Sequence, residues 1–267
     1  MARPKTELIE QQGQFSSFSA LKTLVENIGS LPERSWISKL FGVSLIPRSL
    51  RGKYQAALGE VSIPETLANL GDNWASRHAV QTGESGGVID HIVAGPAGVF
   101  AFNVQQLSGH SLWIGEATAI VDGERMPLIR ESEFQSVRVA QLMSDAMKER
   151  IEVTPCLIAV DPRSVTVARP PKKVAVLTQR ELRQWLRDLP TTLEGATLSK
   201  VLEKVSDDST WGSKPDSAVS IDSLLGKFRT IRNSVNQARR LRMLWIAGVL
   251  ILVWLASILV AGAIAGT

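Results

Sequence analysis

Cysteine and tyrosine each occur once, and histidine three times, in 267 residues. A single cysteine excludes an internal disulfide framework, and Cys156 sits in the apolar run PCLIAV with no histidine in a recognisable pattern nearby. It reads as a small buried hydrophobe in a reducing compartment, not as a nucleophile. His78, His91 and His110 match no zinc spacing, and His91 follows Asp90, so the two point to opposite faces of a strand. The runs GESGG and GPAGVF lack both the Lys-Ser/Thr ending of a phosphate loop and the GxGxxG register, which leaves tight turns. Ser85, inside GESGG, has no strand-to-helix elbow to make it a hydrolase nucleophile. The short basic run at 169–173, RPPKK, reads as a solvated loop. The start, MARPKTELIEQQGQ, has no apolar core of a signal peptide, so secretion is not expected.

Acidic residues are missing from one place. None follows Asp222, whereas six of the 30 basic residues do (Lys227, Arg229, Arg232, Arg239, Arg240 and Arg242). Residues 1–222 therefore hold 24 basic against 26 acidic residues, a net of −2, although the whole chain carries +4 and a pI near 9.4. The positive excess is no broad nucleic-acid footprint. It lies beside one apolar tail.

That tail, 244–265, contains no charged residue, and its 22 residues at ~1.5 Å rise span roughly 33 Å, enough for a bilayer core of ~30 Å. A single transmembrane helix is expected there, with Trp245 at headgroup level. The arginines before it place residues 1–243 on the cytoplasmic side, which makes a C-terminally anchored, single-pass protein of the cell membrane. Within 223–243, Leu224, Phe228, Ile231, Val235 and Ala238 recur at spacings of 4, 3, 4 and 3 and form one stripe of a basic amphipathic helix. Two readings follow. The helix lies in the interface and recruits anionic lipid headgroups through Arg239, Arg240 and Arg242, or it packs its stripe on protein.

The rest divides into an N-terminal helical or flexible segment 1–50, a folded domain 51–205 and a polar linker 206–222, where SDDSTWGSKPDSAVS takes over. Leu21, Leu24, Val25 and Ile28 recur at helical intervals before LPERSW breaks the pattern, and 54–70 reads as a helix interrupted by Pro64. Strands are expected at 75–81, 87–93 and 99–105 as a meander, extended by 112–114 and 117–121. A helix at 131–150, with Phe134, Val137, Leu142 and Met143 among its apolar positions, leads to strands at 156–160 and 174–177 and helices at 179–189 and 198–205. This is an α/β (α+β) pattern, a mixed central sheet flanked by helices.

The run GGVIDHIVAGPAGVFAFNVQQLSG, preceded by ALGE and followed by VDGERMPLIRESEFQSVRVAQLM, resembles the nuclease-related domain (NERD) family over residues 52–205. That family is similar to the PD-(D/E)xK nucleases, so the resemblance implies a restriction-endonuclease-like fold. In those enzymes an Asp on one strand and a Glu two residues before a Lys on the next share a face, the carboxylates hold Mg²⁺, and the Lys stabilises developing charge. Carried over, Asp90 matches the metal Asp, Glu60 the Glu of the first helix and Gln135 the Gln of the later helix. Asn103 and Gln105 stand at the Glu and Lys positions. The first departure removes a negative charge from the metal site, and the second removes its only cation. The resemblance thus implies a degenerate domain that binds or scaffolds, with no cofactor, and with a nucleic-acid or protein partner. The alternative is a Mg²⁺-dependent nuclease at the membrane, with Asp90 and Glu60 holding the metal.

Overall fold

The computed structural model describes residues 18–30, 35–82, 87–212 and 221–265. The polar start 1–17, residues 31–34 of the LPERSW break, residues 83–86 of the GESGG turn with Ser85, and 213–220 of the expected linker lie outside the described residues. In chain order, helices α1 (Ser19–Gly29), α2 (Trp36–Leu40) and α3 (Arg51–Ala68) lead into strands β1 (Ala75–Gln81), β2 (Val88–Gly95), β3 (Gly98–Gln106), β4 (Ser111–Ile114), β5 (Ala119–Val121) and β6 (Glu124–Met126). Helix α4 (Leu128–Met147) follows, then strands β7 (Val153–Val160), β8 (Ser164–Val167) and β9 (Ala175–Thr178), and helices α5 (Gln179–Asp188), α6 (Gly195–Ser206) and α7 (Ile221–Ala265). The chain separates into two units, Met1–Ala20 with Ala56–Ile221, and Leu21–Gln55 with Asp222–Thr267.

The first unit is mixed α/β, with two mixed sheets flanked by helices. Its larger sheet runs β1-β2-β3-β7-β9: the first three strands form the expected antiparallel meander, and β7 pairs parallel to both β3 and β9. The pleat divides the core. On one face Ile92, Ala94, Val99 and Ala101 pack with Val139 and Met143 of α4 and Val201 and Val205 of α6. On the other, Val93, Phe100, Phe102, Cys156 and Ile158 pack with Ile63 and Leu67 of α3 and Leu182 and Leu186 of α5. Burial on both faces accounts for the near-continuous apolar runs of β3 and β7.

Three expectations change here. The strands at 112–114 and 117–121 do not extend the meander, because β7 already occupies the free edge of β3; they join a second sheet, β6-β5-β4-β8, in which β4 and β8 are parallel. Helix α3 runs straight through Pro64. The missing N–H costs one helical bond, but Ile63, Pro64 and Leu67 are all buried, and that packing holds the turn. Finally, the segment that composition assigns to a linker carries the 3₁₀ turn Asp208–Trp211, where Trp211 is buried among Ile92, Val139 and Val205 and its Nε1 donates to the Val205 carbonyl at 3.1 Å. One bulky indole extends the core beyond the polar residues that surround it.

In the second unit the basic amphipathic segment and the apolar tail form a single 45-residue helix, α7. Leu224, Phe228, Ile231 and Ala238 of its stripe are buried, and the Tyr54 ring lies 5.8 Å from that of Phe228. The stripe packs on protein. Further along, Arg242 Nη2 donates to the Gly42 carbonyl at 2.9 Å and Trp245 Nε1 to the Leu40 carbonyl at 2.9 Å, while the Phe41 ring lies 5.1 Å from the Trp245 indole. Gly42 (φ +64°) is needed there, because a Cβ would collide with the Ala238 carbonyl and the Arg242 nitrogen. Among the described residues no helix is long and apolar enough to cross a membrane. The side chains of 256–265, the last ten residues of the apolar run, lie outside them.

Candidate functional site

Asp90 occupies a break in the sheet. On one side, the β1–β2 register runs through His78↔His91 and Val80↔Ile89 and skips the Ala79–Asp90 step between them. Ala79 has φ +47°, a left-handed conformation that costs a non-glycine residue about 1 kcal/mol. On the other side, the β2–β3 ladder reaches only His91↔Phe102. Beyond that pair the Asp90 side chain takes over the ladder's work, its Oδ2 accepting the Val104 N–H at 2.8 Å. Backbone strain at Ala79 beside a skipped ladder step is a feature of functional positions, and across from it the Asp90 carboxylate is half-buried.

Asn103 and Gln105 share the α4 face of β3, because residues two apart on a strand point the same way. Gln105 Nε2 donates to Asn103 Oδ1 at 2.7 Å. The Asn103 amide nitrogen approaches the Leu128 carbonyl at 3.5 Å, at the first turn of α4, and the residue is 2% exposed. A buried amide must have partners, and Asn103 finds them in its neighbour and in the incoming helix. Its carbonyl oxygen, the one atom with which it could replace a carboxylate as a metal ligand, is already bonded.

Glu60 stands on α3, whose Ile63 and Leu67 pack on the opposite sheet face from Val99 and Ala101. Its Oε1 accepts the Ala20 N–H at 3.0 Å, in the first turn of α1. A carboxylate at a helix N-terminus satisfies an orphan donor and opposes the positive end of the helix dipole, so Glu60 has a structural task. Helix α3 reaches the end of β3 one residue earlier, where the side-chain amide of Gln106 lies over Gly59 and would have to shift for a Cβ there. Gln135, on α4, has a buried Oε1 without a hydrogen-bond partner among the described residues. Leu128, whose carbonyl Asn103 approaches, lies seven residues earlier on α4, about two turns or ~10 Å along the axis.

The structure thus brings together Asp90, Asn103 and Gln105 around β3, and it engages Glu60 at the first turn of α1. The donors these contacts show are poor ones for a divalent cation: beside Asp90 stand the two neutral amides of Asn103 and Gln105, and one Asp90 oxygen holds a backbone N–H. Among the described residues no three His, Cys, Asp or Glu side chains are grouped to hold a metal ion.

Two arrangements escaped the sequence reading. His78 and His91 are cross-strand partners, with Nδ1 atoms 2.8 Å apart and the Phe18 ring edge-on to both. His91 is fully buried, and burial followed by the neighbouring His78 pushes its pKa well below the ordinary value. One of the two Nδ1 atoms must carry the proton and the other accept it. Only the register of β1 against β2 could have revealed this pair. In the smaller sheet, Asp122 accepts from the Ser111 N–H at 2.8 Å, from His110 Nδ1 at 2.7 Å and from Arg163 Nη2 at 3.2 Å, contacts that in that order hold its carboxyl below the usual range. This cluster is exposed and satisfied within itself. Comparison with protein-family models, with curated proteins and with solved structures yields no match for this chain.

Proposed function

We propose that this chain is a membrane-anchored protein whose nuclease-related domain binds or scaffolds and does not hydrolyse phosphodiesters. The observation that carries this reading is the 2.7 Å hydrogen bond from Gln105 to Asn103, which ties together the two positions where the related nucleases place a carboxylate and an ammonium. Two mutually bonded neutral amides neither concentrate negative charge for a dication nor offer a cation to a developing oxyanion. The restriction-endonuclease-like reading draws support from element order: helix α3, three antiparallel strands, helix α4, then β7 parallel to β3.

For the membrane reading, support comes from the uncharged run 244–265 and the acid-free basic segment before it. Of the arginines expected to meet anionic headgroups, Arg239 and Arg240 are exposed, whereas Arg242 is engaged by Gly42.

The test of the site is cleavage of labelled single- and double-stranded DNA and RNA by the full-length chain in mild detergent with Mg²⁺ or Mn²⁺. Wild type and Asp90→Ala are expected to match the blank. Hydrolysis by wild type that Asp90→Ala abolishes would overturn the reading. Protease treatment of intact cells and of inverted vesicles tests the anchor. Digestion of residues 1–222 only in inverted vesicles is expected, and digestion from outside intact cells rejects the topology.

A further inference from the structure

Helix α4 has two faces of different character. Its inner stripe, Leu128, Ser132, Ser136, Val139 and Met143, is buried. The outer stripe, Arg130, Phe134, Val137, Gln141 and Asp145, recurs at spacings of 4, 3, 4 and 4 and is exposed throughout. Its centre is apolar: Phe134 is 71% exposed and Val137 67%. Single exposed hydrophobes are common, but a phenyl ring and an isopropyl group side by side, one turn apart on a regular helix and flanked by charge, form a patch that water disfavours.

The charges at its ends indicate what covers it. Arg130 and Asp145 lie 15 residues apart, about 22 Å along the axis, and neither has an ion-pair partner among the described residues. A two-fold axis placed between residues 137 and 138, perpendicular to the helix, brings Arg130 of one copy opposite Asp145 of the other at both ends. The same operation sets Phe134 opposite Gln141 and brings the two Val137 side chains together at the centre. The stripe is complementary to itself read backwards, which is the condition for an isologous interface. Antiparallel helices also oppose their dipoles favourably. We propose that the outer face of α4 docks on the same face of a second copy of this chain, as an antiparallel helix pair with Val137 at the two-fold axis and Arg130–Asp145 ion pairs at both ends. The inference rests on α4 alone and is independent of the reading of the Asp90 site and of the membrane anchor.

The experiment uses the full-length chain in mild detergent, with a cysteine introduced by Val137→Cys; the native Cys156 is buried and does not compete. Mild oxidation is expected to give a cross-linked species of twice the chain mass. In that background Phe134→Asp is expected to lower the yield roughly tenfold. Arg130→Asp and Asp145→Arg each place like charges opposite one another at both ends and reduce the yield, whereas the double variant restores both pairs and with them the cross-link. All four positions are exposed, so circular dichroism melts of the variants should coincide with that of wild type. A double variant that cross-links as weakly as the singles, a species of any mass other than twice the chain, or no cross-link at all overturns the proposal. Dimerisation through α7 alone would leave the yield insensitive to Arg130, Phe134 and Asp145, and overturns it as well.

Discussion

Gln105 donates its side-chain N–H to the carbonyl oxygen of Asn103 at 2.7 Å, and this contact satisfies a buried amide at the end of β3. Truncation by Gln105→Ala leaves a buried Asn103 oxygen short of a partner, a loss of about 1 kcal/mol. In a domain of this size that lowers the melting midpoint by roughly 2–4 °C. Thermal denaturation followed by circular dichroism measures it, and an unchanged midpoint would show that water replaces the amide at no cost.

Ala79 is expected to respond asymmetrically to substitution. Its φ of +47° suits glycine, so in Ala79→Gly the relief of strain offsets the added freedom of the unfolded chain, and the stability stays within about 0.5 kcal/mol of wild type. A β-branched side chain fits this conformation worst, and Ala79→Val should cost more than about 1 kcal/mol. Urea titrations of the two variants separate these outcomes. Equal losses would mean that packing, not backbone conformation, governs the position.

The burial of His91, reinforced by the neighbouring His78, makes the fold sensitive to acid in a defined direction. The folded pKa of His91 lies below 6.5, its unfolded value, so between the two the unfolded chain binds the extra proton. Stability is fully present above pH 6.5 and is lost as pH falls below it, at about 1.4 kcal/mol per pH unit for one proton. Denaturant midpoints between pH 8 and pH 5 should show this decline, and His91→Leu should flatten it. A slope unchanged in the variant would assign the acid sensitivity to other groups.

Cys156 is fully buried, its Sγ 3.7 Å from the Thr154 carbonyl, and burial pushes its thiol far above the ordinary range. With almost no thiolate and no access, the native protein is expected to resist iodoacetamide at pH 8 and to take up one equivalent when unfolded. Rapid labelling of the folded chain, detected by mass spectrometry, would contradict the assigned core.

Alternation and apolar runs made the central architecture legible in the sequence: β1 falls at 75–81 as the pattern indicates, and the helices after β9 begin within three residues of their expected positions. What stayed hidden depends on partners remote in sequence. Strands β6 and β8 have only three and four residues and little buried surface, so their pairing, not their composition, defines them. Phe134 and Val137 fit the helical period of α4 as well as Met143 does, yet they face outward, because periodicity fixes which residues share a face and tertiary packing chooses the face. At the site, the neutral pair Asn103 and Gln105 was visible as residue types. That they bond to each other, and that Asp90 substitutes for a strand in holding Val104, required the register.

The smaller sheet lies between β3 and α4 in the chain and has the outline of an optional insertion, yet its fourth strand, β8, comes from beyond β7. After both strands of the parallel pair β3–β7 the chain continues into the parallel pair β4–β8, with a bridge between Ser108 and Pro162 in the two connections. Excising 107–127 would therefore not remove a module. It would strand β8 without its neighbour and remove Leu107, Leu112, Ile114, Ala119 and Val121 from the cluster that covers Leu157 and Ala159. In modular terms the domain is a single indivisible piece: this sheet cannot be transplanted, shortened or lost by one deletion, and variation in it must proceed residue by residue on its exposed face.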